Sequence, residues 1–95
     1  MDYLLNEGFS KDLIIKLESK YDESVIELIK LERENIKEII KYFRRIGIKK
    51  IDELLLAYPE LFFKDVKIII STFKKYVISD LVKKINEDTS YIERI

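Results

Sequence analysis

The chain has 95 residues with no Cys, no His and no Trp, two Gly and one Pro. This length limits the chain to one compact domain over residues 1–95, and the missing residues exclude disulfides, thiolate or imidazole metal sites and a histidine base. Lys plus Arg equal Asp plus Glu at 18 each, so the net charge is zero, which argues against a strong nonspecific polyanion binder.

The charges are unevenly distributed along the chain. Residues 1–40 carry 6 basic and 10 acidic side chains, whereas residues 41–84 carry 11 basic and 5 acidic ones. We expect a cytoplasmic protein without membrane contact, because no signal peptide and no apolar run of ~20 residues is visible. The 17 Ile and 14 Lys against one Ala indicate AT-rich codons and therefore a bacterial or phage source.

Helical spacing is visible from the beginning of the chain. A short helix is predicted over 2–7, and Gly8 after it is a typical residue for ending a helix. Ser10 is predicted to be the N-cap of a second helix over 11–20, because its hydroxyl can accept a hydrogen bond from the first helical turn.

From Glu23 onwards the apolar residues follow the helical period until Gly47, a second predicted helix stop. Asn35 is able to cap a new helix that begins at Ile36. The alternative is one unbroken helix as far as Arg45, and the sequence leaves both interpretations open.

Residues 50–57 are predicted to form a short helix that is rich in Leu. The helix ends near Tyr58, because a residue before proline is pushed out of the α region. Pro59 then suits the first position of a helical turn over 60–63, where a missing N–H group costs nothing.

Asp65 is predicted to cap a helix over 66–76, and Ser79 a further helix over 80–86, although the two could also be one. Residues 90–93 form a Ser-x-x-Glu capping box with room for one turn. The β-branched runs in this region favour strands, but their apolar positions share one helical stripe and no hairpin turn separates them.

Together these elements predict an all-α fold of five to seven short helices, arranged as a compact bundle or as a short helical-repeat solenoid. An internal repeat supports the second arrangement. Residues 35–48 align without gaps with residues 65–78, and residues 3–9 match residues 42–48 at an offset of 39. Such offsets fall in the range of helical repeats.

The repeat also resembles that of the mitochondrial transcription termination factor (mTERF) family. The matching residues are Phe43, Gly47-Ile48, Ile51-Asp52-Glu53-Leu54-Leu55 and Tyr58-Pro59-Glu60-Leu61-Phe62. A weaker copy comprises Leu4, Gly8-Phe9-Ser10, Ile14-Ile15-Lys16-Leu17 and Tyr21-Asp22-Glu23. The resemblance implies helical triplets that stack into a curved solenoid and bind nucleic acid. In the weaker copy, which comes first along the chain, Asp22 occupies the position of the family's proline. In a third copy, Val77 occupies the position of its glycine.

A basic cluster surrounds the predicted stop at Gly47. It consists of Arg44, Arg45, Lys49 and Lys50, and the repeat places Lys74 and Lys75 at the positions of Arg44 and Arg45. A tight corner between helices can present backbone N–H groups and cations to a phosphate. The alternative is that these cations favour helix C-termini and keep the surface soluble.

Two apolar groups are candidates for a protein interface. Phe62 and Phe63 are adjacent on one short turn, so one can enter the core while the other lies at the surface. Tyr91, Ile92 and Ile95 share one helical face in a segment that is too short to be a stable helix alone. That segment therefore packs on its own core, packs on a neighbouring subunit, or frays.

No glycine-rich phosphate loop, nucleophile elbow or calcium-loop spacing is present. We therefore expect no enzymatic activity, no cofactor, no metal and no small-molecule substrate. The sequence favours a small helical binding module for protein–protein interaction, with self-association included. The alternative is binding to the backbone of DNA or RNA through the basic residues around Gly47.

Overall fold

The structure is a computed structural model that describes all 95 residues, and it is helical without any strand. The seven α-helices are α1 Asp2–Asn6, α2 Lys11–Lys20, α3 Glu23–Leu31, α4 Arg33–Ile46, α5 Ile51–Ala57, α6 Val66–Phe73 and α7 Ile78–Glu87. Two 3₁₀ helices follow α5 and α7, the first over Pro59–Phe63 and the second over Thr89–Arg94. The all-α prediction is confirmed, and the short helices bring the number of helical elements above the predicted five to seven.

The helices form a compact globule rather than an extended solenoid. Its radius of gyration is 12.9 Å, and its principal extents are 36 × 24 × 23 Å. A compact domain of this length has a radius of gyration of about 12–13 Å. The chain is therefore as compact as an ordinary domain with a single core.

The elements divide into three consecutive units of three helices. The first unit contains α1, α2 and α3; the middle unit contains α4, α5 and the first 3₁₀ helix; the third unit contains α6, α7 and the second 3₁₀ helix. The 3₁₀ helices begin 30 residues apart, at Pro59 and Thr89, which is the offset of the sequence repeat. The division into units thus coincides with the repeat predicted from the sequence.

The glycines end the first helix of the first two units in the same way. Gly8 has φ +94° and Gly47 has φ +99°, a left-handed conformation that other residues rarely adopt. The next residue donates its N–H to a carbonyl five residues earlier, at 3.0 Å for Phe9 and 2.9 Å for Ile48. The third unit has Val77 at this position with φ −72°, so it turns without a left-handed residue.

Residues 23–46 form two helices, and the break lies at Glu32 rather than at Asn35. Asn35 acts elsewhere, since its side chain joins α4 to the loop before α6. Its Oδ1 accepts the N–H of Val66 at 3.0 Å, and its Nδ2 donates to the carbonyl of Lys64 at 2.6 Å. The residue that looked like a local cap therefore caps a helix 31 positions away.

Residues 65–86 also form two helices. The first ends at Phe73, earlier than the predicted 76, and the second begins at Ile78. Ser79 therefore lies inside α7, which has no side-chain cap, and the predicted cap at Ser79 is wrong.

Other predicted caps have mixed outcomes. Ser10 accepts the N–H of Leu13 at 3.2 Å, and Asp65 accepts the N–H of Lys67 at 2.8 Å, so both caps are confirmed. In the last segment the cap is Asp88 instead of the predicted Ser90, and the turn is a 3₁₀ helix. A carboxylate two residues earlier thus replaces the predicted capping box.

The core passes through all three units at one repeat position. Leu4, Phe43 and Phe73 occupy this position, with exposures of 0%, 0% and 2%. The rings of Phe43 and Phe73 stack with centroids 5.6 Å apart, and Phe62 meets Phe43 edge-on at 5.7 Å. The stack of Phe43 on Phe73 joins the middle unit to the third.

Candidate interaction surfaces

Asn86 of α7 closes the corner at Gly47. Its Oδ1 accepts the N–H of Lys49 at 2.9 Å, and its Nδ2 donates to the carbonyl of Gly47 at 3.0 Å. The corner is therefore held by hydrogen bonds to the third unit. The N–H of Lys49 already has a partner, which corrects the expectation that it is free to bind a phosphate.

Arg44 is occupied within the chain. Its guanidinium donates to the carbonyl of Glu7, lies 3.7 Å from the Glu7 carboxylate, and stacks 5.4 Å from the ring centroid of Phe9. These contacts join the first unit to the middle unit. Arg44, a candidate for phosphate contact, thus already joins two units within the chain.

The other predicted cations are exposed, and none of them forms an ion pair. They are Arg45, Lys49, Lys50, Lys74 and Lys75. Lys49 and Arg44 line one open groove of about 540 Å³ between the two glycine corners, and Asp52 lines it too. This acid lowers the positive charge of the groove.

Phe62 lies in the core with 0% exposure, whereas Phe63 is half-buried against the core. The 3₁₀ helix that Pro59 opens turns Phe62 inward to the ring of Phe43. Phe62 is therefore the member of the pair that enters the core, and Phe63 is the one that stays partly at the surface.

The C-terminal group packs on the chain's own core. Ile92 is 8% exposed, while Tyr91 and Ile95 are half-buried. The ring of Tyr91 lies under the Lys84 amine, 5.3 Å from its centroid. Ile92 is therefore corrected from a contact residue to a core residue, whereas Ile95 lines a surface groove.

The structure exposes other large apolar side chains that the sequence analysis did not single out. They are Ile15, Leu28, Leu31, Ile68, Tyr76 and Val77. Ile15, Leu28 and Leu31 belong to the first unit. Ile68 belongs to α6 of the third unit, and Tyr76 and Val77 belong to the turn between α6 and α7. The middle unit exposes no large apolar side chain. Exposed apolar side chains that stand singly are ordinary, whereas a contiguous apolar patch marks a contact surface.

The helical period explains the exposed pair on α3. Ile26 and Ile29 are buried on the inner side, whereas Leu28 and Leu31 lie three residues apart on the opposite side of the helix. Leu31 is 75% exposed. A helical-wheel projection of residues 23–31 would have revealed this second stripe, but a scan for apolar period alone combines both sides.

An apolar groove lies between α6 and the two 3₁₀ helices. Its walls include Leu61, Ile68 and Ile95, and Lys64 stands at its rim. The groove has a volume of about 50 Å³ and is continuous with a wider one of about 350 Å³ that shares Leu61, Lys64 and Ile95. Lys64 lines both grooves, whereas Glu60 and Glu93 line the wider one, so charges of both signs surround them.

The shifted pKa values belong to helix ends and packing. The Ser24 hydroxyl donates to Asp22 at 2.6 Å and lowers the pKa of that carboxyl; Ser90 does the same for Asp88 at 2.7 Å. A hydrogen bond to Glu93 raises the pKa of the Tyr58 hydroxyl.

Nothing in the structure gathers reactive groups in one place. No three His, Cys, Asp or Glu side chains lie close enough to hold a metal ion. Every buried polar side-chain atom has a hydrogen-bond partner. None of the helices combines the length and the apolar character that crossing a membrane requires.

Comparison with protein-family models, with curated proteins and with solved structures finds no match for this chain. The function is therefore argued from the chain's own surfaces.

Proposed function

We propose that the protein is a helical-repeat module that binds protein through the apolar surfaces of its two end units. The observation that carries this proposal is the position of the exposed apolar side chains. All six belong to the first and third units, and the middle unit has none.

The repeat architecture supplies the physical reason. In a stack of helical units each unit covers its neighbour, so a middle unit is covered on two sides and an end unit on one. End units of repeat proteins usually have a polar outer side, which keeps them soluble. Here Leu31 of the first unit is 75% exposed and Ile68 of the third unit is 56% exposed, so both end units keep apolar anchors that suit a partner.

The resemblance to mTERF repeats belongs to the same proposal. Three consecutive units of three helices support it, because the resemblance implies helical triplets. The left-handed Gly8 and Gly47 also support it, since both occupy the corner position of the motif. A cytoplasmic location and a bacterial or phage source stay predictions.

Site-specific photo-crosslinking in the native cells tests the proposal. A photoreactive phenylalanine analogue replaces Leu31 in one variant and Ile68 in another, and a control variant carries it at the exposed Glu53 of the middle unit. We expect discrete protein adducts from positions 31 and 68 and none from position 53. Equal labelling at all three positions, or no adduct at all, would contradict the proposal.

The second candidate function is binding to a nucleic-acid backbone, which the five exposed cations without ion pairs favour. Binding of this kind weakens steeply as salt rises, because phosphate contacts release counterions. The test is a gel shift on generic DNA and RNA at low salt with Lys74→Ser/Lys75→Ser. A matched control is Lys11→Ser/Lys16→Ser in the first unit, whose side chains form no hydrogen bond or ion pair with another unit.

Arg44 is left unchanged in this test, because its loss would loosen the contact between the first and middle units. Loss of binding in the third-unit variant alone supports the nucleic-acid candidate. No shift with the wild-type protein at low salt removes it.

A further inference from the structure

We infer that the partner of these surfaces is a second copy of this chain, whose α3 packs into the groove between α6 and the 3₁₀ helices. This inference rests on the proposed protein-binding function and names its partner. The contact joins the first unit of one copy to the third unit of another.

Both surfaces are apolar. Leu28 and Leu31 form a short apolar stripe on the outer side of α3, with the i, i+3 spacing of helices that bind in grooves. The groove offers apolar walls from Leu61, Ile68 and Ile95. A projecting pair of leucines and an apolar groove therefore occur in one chain, on different units.

Unpaired charges of opposite sign lie beside the two surfaces. Residues 11–32, which contain α2 and α3, carry 6 acidic and 4 basic side chains. Residues 64–77, which form one wall of the groove, carry four Lys and one Asp, and none of these Lys forms an ion pair within the chain, while Glu60 and Glu93 line the wider part of the groove. Glu32, beside Leu31, is exposed and also without an ion pair. Opposite charges of this kind orient two surfaces and speed their association.

The contact also continues an arrangement that exists inside the chain. There, α3 packs against the first 3₁₀ helix of the middle unit. The second 3₁₀ helix is the repeat equivalent of the first, 30 residues further along, and it forms one wall of the groove through Ile95 and Ile92. An α3 from a second copy would therefore lie beside a 3₁₀ helix of the type that α3 already contacts.

Because the two surfaces differ, the contact is heterologous, with one copy's first unit on the next copy's third unit. Each added copy leaves one surface of each kind unoccupied at the ends of the assembly. The expected product is a concentration-dependent series of oligomers rather than a closed dimer.

Analytical ultracentrifugation of the whole chain tests the inference. Between about 10 µM and about 1 mM, a range that detects micromolar to millimolar contacts, the weight-average mass should rise at least about twofold above the 11.4 kDa monomer. A monomer at every concentration overturns the inference. Adducts to a different protein in the crosslinking experiment would then still support the proposed function.

Two single variants identify the surfaces. Leu31→Lys places a cation on the stripe, and Ile68→Glu places an acid in the groove, so each is repelled by the partner surface. Both positions are more than half exposed, so folding should be retained, and circular dichroism verifies it. Each variant alone should stay monomeric, whereas Glu53→Lys on the middle unit should associate like the wild type.

Mixing the two variants is the decisive step. Leu31→Lys keeps an intact groove and Ile68→Glu keeps an intact stripe, so an equimolar mixture should form a 1:1 dimer that grows no further. A mixture that stays monomeric overturns the inference, and so does association of either variant alone at the wild-type level.

Discussion

The middle unit and the two end units have the same three-helix plan but different surfaces. The middle unit, from Arg33 to Phe63, is covered on both sides and exposes no large apolar side chain. The first and third units are each covered on one side, and each leaves three such side chains in water. The difference follows from coverage, since a middle unit is covered on two sides and an end unit on one, and the proposed function places the partner on the end units.

The largest expected effect comes from the contact between the middle and third units. Phe43→Ala removes a fully buried ring that meets Phe62 and Phe73. The free energy of unfolding should fall by about 3–5 kcal/mol, measured by urea denaturation. Unfolding of one unit while the others persist would separate the units and contradict a shared core.

The glycine corners should respond alike in the first and middle units. A Cβ at Gly8 or Gly47 meets its nearest neighbour at 3.5 or 3.6 Å, an ordinary contact, so only the positive φ opposes alanine. Gly8→Ala and Gly47→Ala should each lose about 1–2 kcal/mol of stability in denaturant titrations. A loss at only one corner would mean that the two corners are not equivalent.

Asn86 holds the corner of the middle unit from the third. Asn86→Ala removes two hydrogen bonds, to Lys49 N–H and Gly47 C=O, and should cost about 1–2 kcal/mol. Hydrogen exchange should accelerate at Lys49 more than at Phe9, whose N–H bonds to the Leu4 carbonyl within the corner of the first unit. Equal acceleration at both positions would indicate a general loosening instead.

Acid should distinguish the end units from the middle unit. Asp22 and Asp88 cap the third helix of their units, and hydrogen bonds from Ser24 and Ser90 keep the pKa of both carboxyls below the ordinary 3.8. A lowered pKa in the folded state gives stability that is present above pH 4 and is lost as the pH falls through the folded value. The middle unit uses Tyr58 before Pro59 and has no such carboxylate.

Amide signals of residues 23–31 and 89–94 should therefore lose protection before those of 59–63 as the pH falls below about 4. The double variant Asp22→Asn/Asp88→Asn is the control, since an amide side chain does not titrate in this range. If residues 23–31 and 89–94 of that variant still lose protection before residues 59–63, a group other than the two carboxyls causes the difference.

The smallest effect on stability is expected at the exposed surface. Leu31→Lys changes a side chain that is 75% exposed, so the free energy of unfolding should change by less than about 0.5 kcal/mol. The same change is predicted to abolish association. A large loss of stability would show that Leu31 supports the fold of the monomer.

Much of the fold could be predicted from local patterns. The helix over 11–20, the caps Ser10 and Asp65 and the stops at Gly8 and Gly47 depend on residues within one turn of each other, so sequence spacing reveals them. Asn35 shows where that approach fails. Its partner is the N–H of Val66, 31 residues away, which local spacing cannot indicate.

The predicted interface residues show the same limit. The sequence correctly placed Phe62 and Phe63 on one turn, but which ring is buried depends on Phe43 in another helix. Arg44 resembled a free cation because its partner Glu7 lies 37 residues earlier. The exposed stripe of Leu28 and Leu31 was within reach of a helical-wheel projection, since its neighbours Ile26 and Ile29 already fill the inner side of α3.

Amide chemical shifts followed by NMR across a dilution series test the central claim, that the end units of one copy bind those of another, most directly. The claim predicts shifts that grow with concentration at residues 28–32 and 64–68, while residues 51–57 of the middle unit stay unchanged. Spectra that are identical from dilute to concentrated protein, or shifts centred on residues 51–57, would contradict it.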